Sequence, residues 1–196
     1  MERTFEQLEL STVAVTAGRP PRTPDAPLNT PIVPASSFVA GGPTEYAREG
    51  GPTVAAFESL VAGLESVNLS QAAQAIAYSS GMAAAEAVLD LVPLGGRVIA
   101  PTTTYTGVAV RLRELHNKGS IDLVLVDVTD TSLIEEEIAR GAELLWLESP
   151  TNPLLEVADL PRLLGAAGAA GVRTVVDNTF ATPVLQRPLE LGADLV

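Results

Sequence analysis

Polar side chains follow two apolar runs of this chain, at positions where a loop without a function accepts almost any residue. The segment ESPTNP at 148–153 follows the run LLWL, and the segment DNTFATP at 177–183 follows RTVV. A partly shielded carboxylate such as that of Asp177 needs a cationic or hydrogen-bond-donating partner to stay ionised at low cost. The segment 177–183 contains no Arg or Lys. A turn or helix-capping role for Asp177, and contact with a cationic ligand group, are therefore both open.

A third candidate is the turn SSGM at residues 79–82, which precedes an alanine-rich segment. The first amides of a helix are unpaired and lie at the positive end of the helix dipole, which suits a phosphate group. The same residues also make a good helix cap. Taken alone, the turn leaves both interpretations open.

The chain has one lysine, Lys118, one histidine, His116, and no cysteine. Lys118 and His116 lie in ELHNKGS, at the predicted end of a helix, where a basic side chain stabilises the helix C-terminus. We interpret both as solvated helix-end residues. Without cysteine there is no disulfide, catalytic thiol or thiolate metal site, and we predict no metal site.

The elements that must position these candidates alternate along the chain. Short apolar runs predict strands at 75–78, 97–100, 121–126, 144–147 and 172–176. Longer runs predict helices at 52–66, 82–92, 105–117, 132–140 and 160–170. This alternation specifies an α/β fold with a mainly parallel, doubly wound sheet, whose ligands bind beyond the carboxyl ends of the strands. The last residues, GADLV, predict the start of another strand.

Residues 1–51 differ from the rest, with seven prolines between positions 20 and 43. Proline removes amide donors and fixes φ, so we predict an extended N-terminal arm. A floppy leader and an arm that packs across a partner subunit are both open.

The composition excludes several function classes. The chain has 12 Lys and Arg against 24 Asp and Glu, and its formal net charge is −12. Such an acidic chain lacks the cationic surface of a general nucleic-acid binder or of a protein held on anionic membranes. No signal peptide and no apolar run of about 18 residues is visible, which predicts a cytoplasmic protein.

Five ordered motifs resemble the Cys/Met-metabolism family, the pyridoxal-phosphate-dependent enzymes of transsulfuration. They are YAR followed by GPT at 46–53, SSGM, Tyr105, ESPTNP and DNTFATP. The resemblance covers about residue 10 to the end. It implies a fold-type I, aminotransferase-like large domain over 52–196, with 1–51 as arm and inter-subunit segment. It also implies pyridoxal 5'-phosphate as cofactor, an amino-acid substrate, and a homotetramer built as a dimer of dimers that share their sites.

The resemblance implies catalytic roles for Asp177 and Tyr105. Asp177 accepts a hydrogen bond from the pyridinium nitrogen of the cofactor, which makes the ring an electron sink. Tyr105 stacks on the ring face. Asn152 donates to the phenolic oxygen of the cofactor, and Thr179 belongs to the same cofactor-binding set.

The remaining implied roles concern the cofactor phosphate. The turn residues that bind it in the same subunit are Ser80, Gly81 and Met82, through the amides at the helix N-terminus. Tyr46 and Arg48 reach the phosphate of a neighbouring subunit, where the guanidinium offers a fork of donors.

Three departures from the family pattern bear on these expectations. Gly51 stands where the family has Asn before Pro-Thr, and Val110, followed by Arg111, stands where family lyases have Arg. The chain also ends at Val196, before the family's catalytic lysine, and Lys118 cannot substitute for it. We therefore expect the N-terminal part, apparently truncated, of a lyase or transferase resembling cystathionine γ-synthase and γ-lyase. Such enzymes act by β- or γ-elimination or γ-replacement.

A short non-catalytic chain that binds a phosphate ligand or a partner is the alternative. A Rossmann oxidoreductase is disfavoured, because no G-x-G-x-x-G follows the first predicted strand.

Overall fold

The structure is a computed structural model that describes residues 9–42 and 44–196. It divides into two units, residues 1–77 and 78–196. Residues 1–8 and Pro43 of the predicted arm lie outside the described residues. The boundary predicted between residues 51 and 52 divides an inter-subunit arm from a cofactor-binding domain. That functional division stays a prediction.

The described residues of the first unit contain two helices, α1 (Leu10–Thr16) and α2 (Pro52–Glu65). Sequence analysis did not predict α1. α2 begins with Pro52, whose missing amide costs nothing at the first helical position. The described residues between 19 and 51 contain no helix. Thr53 ties this stretch to α2, because its hydroxyl donates to the Pro31 carbonyl at 2.8 Å and accepts from the Val33 amide at 3.2 Å.

The second unit alternates helices and strands. Its elements are α3 (Gly81–Leu89), β1 (Gly96–Pro101), α4 (Thr106–Asn117), β2 (Ile121–Val126), α5 (Thr131–Ala139), β3 (Leu144–Glu148), α6 (Leu160–Ala170), β4 (Arg173–Asp177), α7 (Thr182–Leu185) and a 3₁₀ helix, Pro188–Leu191. Capping side chains set three of the helix starts: Ser80 for α3, Asp130 for α5 and Asp159 for α6 each accept from an amide of the first turn.

The four strands form one parallel sheet in the order β2-β1-β3-β4. Successive strand residues face opposite sides, so two apolar clusters cover the sheet. One contains Leu144 and Trp146 of β3 with residues of α3 and α4. The other contains Leu145 and Leu147 of β3 with residues of α5 and α6. The parallel, doubly wound α/β fold is thus confirmed.

The strand predicted at 75–78 is wrong. No residue from 72 to 78 belongs to a strand, and Ile76 and Tyr78 are 74% and 47% exposed. A strand exists only where a neighbour satisfies its amides and carbonyls, and no described strand pairs with this segment. The short apolar run is compatible with a strand, but it does not supply the pairing partner.

The predicted start of a strand in GADLV agrees with the structure. Leu195 forms a parallel bridge with Val175 on the outer side of β4. Its amide donates to the Thr174 carbonyl, and its carbonyl accepts from the Val176 amide, both at 3.1 Å. Among the described residues, no helix is long and apolar enough to cross a membrane.

Candidate functional site

The carboxyl ends of β1, β3 and β4 lie side by side at one edge of the sheet. The chain leaves β1 in one direction, to β2, and leaves β3 in the other, to β4. Such a reversal opens a crevice beyond the strand ends, where open α/β sheets bind ligands. Tyr105 and Asn152 lie in the loops that follow β1 and β3, and Asp177 is the last residue of β4. The topology therefore brings three of the predicted site residues to one edge.

Glu148, the last residue of β3, joins two of these loops directly. Its Oε2 accepts a hydrogen bond from the Tyr105 amide at 2.7 Å and another from the Thr104 hydroxyl. Its Oε1 accepts from the Asn152 amide at 2.7 Å. Sequence analysis missed this role. The available signal was a charged residue directly after the apolar run at 144–147.

Asp177 ends β4 and is half-buried. Its Oδ1 accepts from the Thr179 amide at 3.1 Å and from the Thr179 hydroxyl at 2.6 Å. Its Oδ2 accepts from no described residue of its unit. Asp177 pairs with Glu148 in the register of β3 and β4, so both lie on the sheet face covered by α3 and α4. The position supports contact with a donor on a ligand, and Thr179 acts through Asp177.

The same turn occurs at the end of β2, which offers an internal comparison. There Asp127 accepts from the Thr129 amide at 2.8 Å and from its hydroxyl at 2.7 Å. These two hydrogen bonds, of which the one from the hydroxyl has the larger effect, lower the pKa of Asp127 below its ordinary value. Asp127 is exposed and follows an edge strand. The Asp-x-Thr turn therefore forms from its own residues and does not by itself indicate a site. Asp177 differs from Asp127 in being half-buried and next to β3.

The N-terminus of α3 has the features of a phosphate site. The Ser80 hydroxyl accepts from the Ala83 amide at 3.1 Å, so Ser80 does cap the helix. The amides of Gly81 and Met82 donate to no described residue of this unit. Gly81 is exposed, and a β-carbon at that position would meet no atom within 4 Å. Open amides at a helix start and an open carboxylate at a strand end, both on the same face of the sheet, have the chemistry to bind a ring that bears a phosphate and a cationic nitrogen.

The first turns of α3 and α4 pack closely against each other at Gly107. A β-carbon built on Gly107 would lie 2.7 Å from Sδ of Met82 and 2.8 Å from Cε1 of Tyr105. Only a residue without a side chain lets Met82 and the Tyr105 ring pack there. Tyr105, 46% exposed, is thus held at its amide by Glu148 and at its ring by this contact.

The loops after β3 and β4 are joined by a second set of contacts. The side-chain amide of Gln186 donates to the Ser149 carbonyl and to Oδ1 of Asn178, both at 2.8 Å. The Asn178 side chain donates in return to the Gln186 carbonyl at 2.7 Å. These contacts fix the peptide that follows Asp177 against the peptide that follows Glu148.

Arg111 does not serve the crevice. Its Nε lies 2.6 Å from Oε1 of Glu86 on α3, and its Nη1 lies 3.5 Å from Oε2 of Glu114. The hydrogen bond with Glu86 is the main cause that raises the pKa of Arg111. Arg111 thus clamps α4 to α3. Neighbouring Val110 is 47% exposed.

Lys118 and His116 lie at the end of α4, as the sequence predicted. Lys118 directly follows the last helical residue and is exposed. Nδ1 of His116 accepts from the Leu123 amide at 3.2 Å. Within the described part of the chain, no group of three or more acidic or histidine side chains could hold a metal ion.

Tyr46 and Arg48 lie in the first unit, next to a short antiparallel bridge between Ser37 and Tyr46. The guanidinium carbon of Arg48 lies 4.7 Å from the centre of the Tyr46 ring, within the range of a cation–π contact. Both side chains are exposed. The predicted pair therefore forms one local cationic unit.

Comparison with known proteins identifies relatives over nearly the whole chain. A family model described as "Cys/Met metabolism PLP-dependent enzyme" matches residues 11–196. A cystathionine β-lyase of Coxiella burnetii is 38% identical over 95% of this chain and 49% of its own length. A cystathionine γ-synthase of Mycobacterium leprae is 36% identical over 95% of this chain and 49% of its own length. The chain thus spans about half the length of these curated relatives.

A solved structure shows the same fold. The crystal structure of cystathionine γ-synthase from Xanthomonas oryzae pv. oryzae in complex with cystathionine superposes with a TM-score of 0.84 and 33% identity. The match covers 100% of this chain and 50% of that one.

Proposed function

Because the chain belongs to the Cys/Met-metabolism family of pyridoxal-phosphate-dependent enzymes, we propose that it supplies the cofactor-binding sheet of a transsulfuration-type lyase or transferase. The full-length enzyme acts on sulfur-containing or activated amino acids by β- or γ-elimination or by γ-replacement. One observation carries the proposal: Glu148 joins the Tyr105 and Asn152 loops directly beside Asp177, whose Oδ2 is open. The cystathionine bound to the Xanthomonas relative supports the substrate class.

Each proposed contact follows from the chemistry of a side chain in this crevice. Oδ2 of Asp177 accepts a hydrogen bond from the N–H of the pyridinium ring and so keeps that nitrogen protonated. The Tyr105 ring covers one face of the cofactor and excludes water from it. The amides of Gly81 and Met82 bind the phosphate, and the Asn152 side chain donates to the phenolic oxygen. When bound, pyridoxal phosphate supplies an electron-withdrawing ring that stabilises negative charge on the substrate carbon.

The amine that such a reaction requires is not provided by Lys118. This lysine is exposed at the end of α4, where it precedes β2 and does not lie in a loop that follows β1, β3 or β4. Since the chain spans about half the length of its relatives, we propose that the catalytic lysine lies in the rest of the full-length protein. Borohydride reduction in the presence of cofactor, followed by peptide mapping, should leave Lys118 unlabelled.

The assembly and location are further parts of the proposal. We propose a cytoplasmic homotetramer, built from dimers in which Tyr46 and Arg48 of one subunit contact the cofactor phosphate of the other. Their exposed cation–π unit supports this, because a fixed guanidinium is suited to a phosphate. Mixing inactive Arg48→Ala and Asp177→Ala full-length chains should restore part of the activity. Confirmed hybrids as inactive as both parents would argue against a shared site.

A matched pair of substitutions tests the role of Asp177. Asp177→Asn keeps the oxygen that binds Thr179 but replaces Oδ2 by a donor that repels a pyridinium N–H. We expect turnover of the full-length protein with cystathionine, methionine or an activated homoserine to fall at least about tenfold, the effect of losing a charge-assisted hydrogen bond. Asp127→Asn makes the same change in the same turn at β2 and should leave turnover unchanged. Equal turnover of both variants and wild type would refute the proposed role.

A further inference from the structure

Glu148 carries a buried carboxylate that none of the proposed cofactor contacts uses. It is 4% exposed and ends a strand in which every residue is buried. A buried carboxylate is costly unless nearly all its acceptor capacity is satisfied. Here the donors are two backbone amides and one hydroxyl. None of the ion pairs in the described residues includes Glu148.

A second buried glutamate of the same unit shows the usual alternative. Glu137 of α5 is 7% exposed and forms ion pairs with the guanidinium groups of Arg97 and Arg140. Its charge is neutralised by Arg140 at the end of the same helix and by Arg97 of β1, which fastens α5 to that strand. Glu148 is satisfied instead by the main chain of two separate loops. This arrangement is suited to fixing backbone positions.

We infer that Glu148 is a positioning residue that holds Tyr105 and Asn152 at a fixed spacing across the crevice between β1 and β3. The two amides bind opposite oxygens of one carboxylate, each at 2.7 Å. Two hydrogen bonds of this kind keep the amide nitrogens within about 8 Å of each other. The inference rests on the proposed function for what these two side chains contact.

A glutamine at position 148 cannot make the same contacts. It has almost the same volume, but one carboxylate oxygen becomes a donor that faces a backbone N–H. The Oε2 side has two donors, the Tyr105 amide and the Thr104 hydroxyl, so we expect the remaining oxygen to stay there. The Asn152 amide then faces another donor, and its loop is released from Tyr105.

The first measurement needs no cofactor. Amide proton resonances of Tyr105 and Asn152 are compared in ¹⁵N-labelled wild-type, Glu148→Gln and Glu137→Gln chains. A hydrogen bond to a carboxylate moves an amide proton downfield, so the Asn152 resonance should move upfield in Glu148→Gln alone. Glu137→Gln is the control for loss of a buried charge, since it should lower the urea midpoint without moving either resonance.

The second measurement is the dissociation constant for pyridoxal phosphate of the full-length variants, together with kcat and KM. We expect Glu148→Gln to raise that constant at least about tenfold and Glu137→Gln to leave it within twofold of wild type. Unmoved resonances in Glu148→Gln, or moved resonances with wild-type affinity, would overturn the inference but not the proposed function. Wild-type protein that binds no pyridoxal phosphate would overturn the proposed function, and the resonances alone would then decide whether Glu148 joins the two loops.

Discussion

Replacing Gly107 with alanine tests how closely the first turns of α3 and α4 pack. The added β-carbon would lie 2.7 Å from Sδ of Met82 and 2.8 Å from Cε1 of Tyr105. Non-bonded carbon atoms are ordinarily about 3.5–4.0 Å apart. Both side chains, or the backbone at Gly107, must therefore move by roughly 1 Å.

Two opposing effects set the magnitude. Forcing a methyl group into a packed contact costs about 1–3 kcal/mol, whereas alanine in a helix is favoured over glycine by about 0.5–1 kcal/mol. Gly165, exposed in the middle of α6, is a control that has only the helix-propensity effect, because a β-carbon there would meet no atom within 4 Å. We expect Gly165→Ala to stabilise the second unit by about 0.5–1 kcal/mol. Gly107→Ala should be less stable than Gly165→Ala by about 1–3 kcal/mol.

The assay is urea unfolding followed by the fluorescence of Trp146. It is the only tryptophan and lies 3% exposed in β3, so it reports on the second unit. A change in midpoint at constant m-value measures the difference in stability. Equal stabilisation by Gly107→Ala and Gly165→Ala would refute the close packing of Met82 and Tyr105. If the packing is as described, Gly107→Ala should also weaken the binding of pyridoxal phosphate to the full-length protein, and Gly165→Ala should not.

The same urea assay checks three further predictions. Leu145→Ala, at a fully buried position of β3, should cost about 2–5 kcal/mol, and an unchanged midpoint would contradict the described core. Asp194→Ala removes the acceptor of the Thr174 amide and hydroxyl, at 2.7 and 2.9 Å, and should cost about 1–3 kcal/mol because Thr174 is buried. Hydrogen bonds from Arg162 lower the pKa of Glu135 in the folded protein. The stabilisation of the folded state by this pair is therefore fully present above the ordinary carboxyl pKa, and it is lost as pH falls through the lowered pKa of the folded state. Glu135→Gln should therefore flatten the acid side of the midpoint–pH curve, and parallel curves for variant and wild type would count against this.

Sequence reasoning succeeded where local signals set the structure. The strand over Ile121–Val126 and the helix over Leu160–Ala170 have the predicted bounds. α6 begins at the capping side chain of Asp159, which accepts from the Arg162 amide. It ends at Gly171, whose φ of +71° favours glycine. Both signals lie within a few residues of the elements that they delimit.

Prediction from the sequence failed where a structural feature depends on a contact with residues far away in the chain. The segment 75–78 has the short apolar run of a strand but pairs with no described strand. The role of Glu148 depends on Tyr105, 43 residues earlier in the chain. Gly107 reads as an ordinary glycine until Met82 of another helix is placed against it. The site residues themselves were predicted from motifs, whereas the contacts that hold them are long-range and could not be.

The two apolar clusters on opposite faces of the sheet join residues that lie similarly far apart in the sequence. The buried members of the cluster beneath α5 and α6 lie between Ile99 and Ala193, and those of the cluster beneath α3 and α4 lie between Ala85 and Val175. Closing longer loops costs more chain entropy before any contact compensates for it. Since neither face has the shorter loops to close, we expect α3 and α6 to have similar φ-values and the two faces of the sheet to form together.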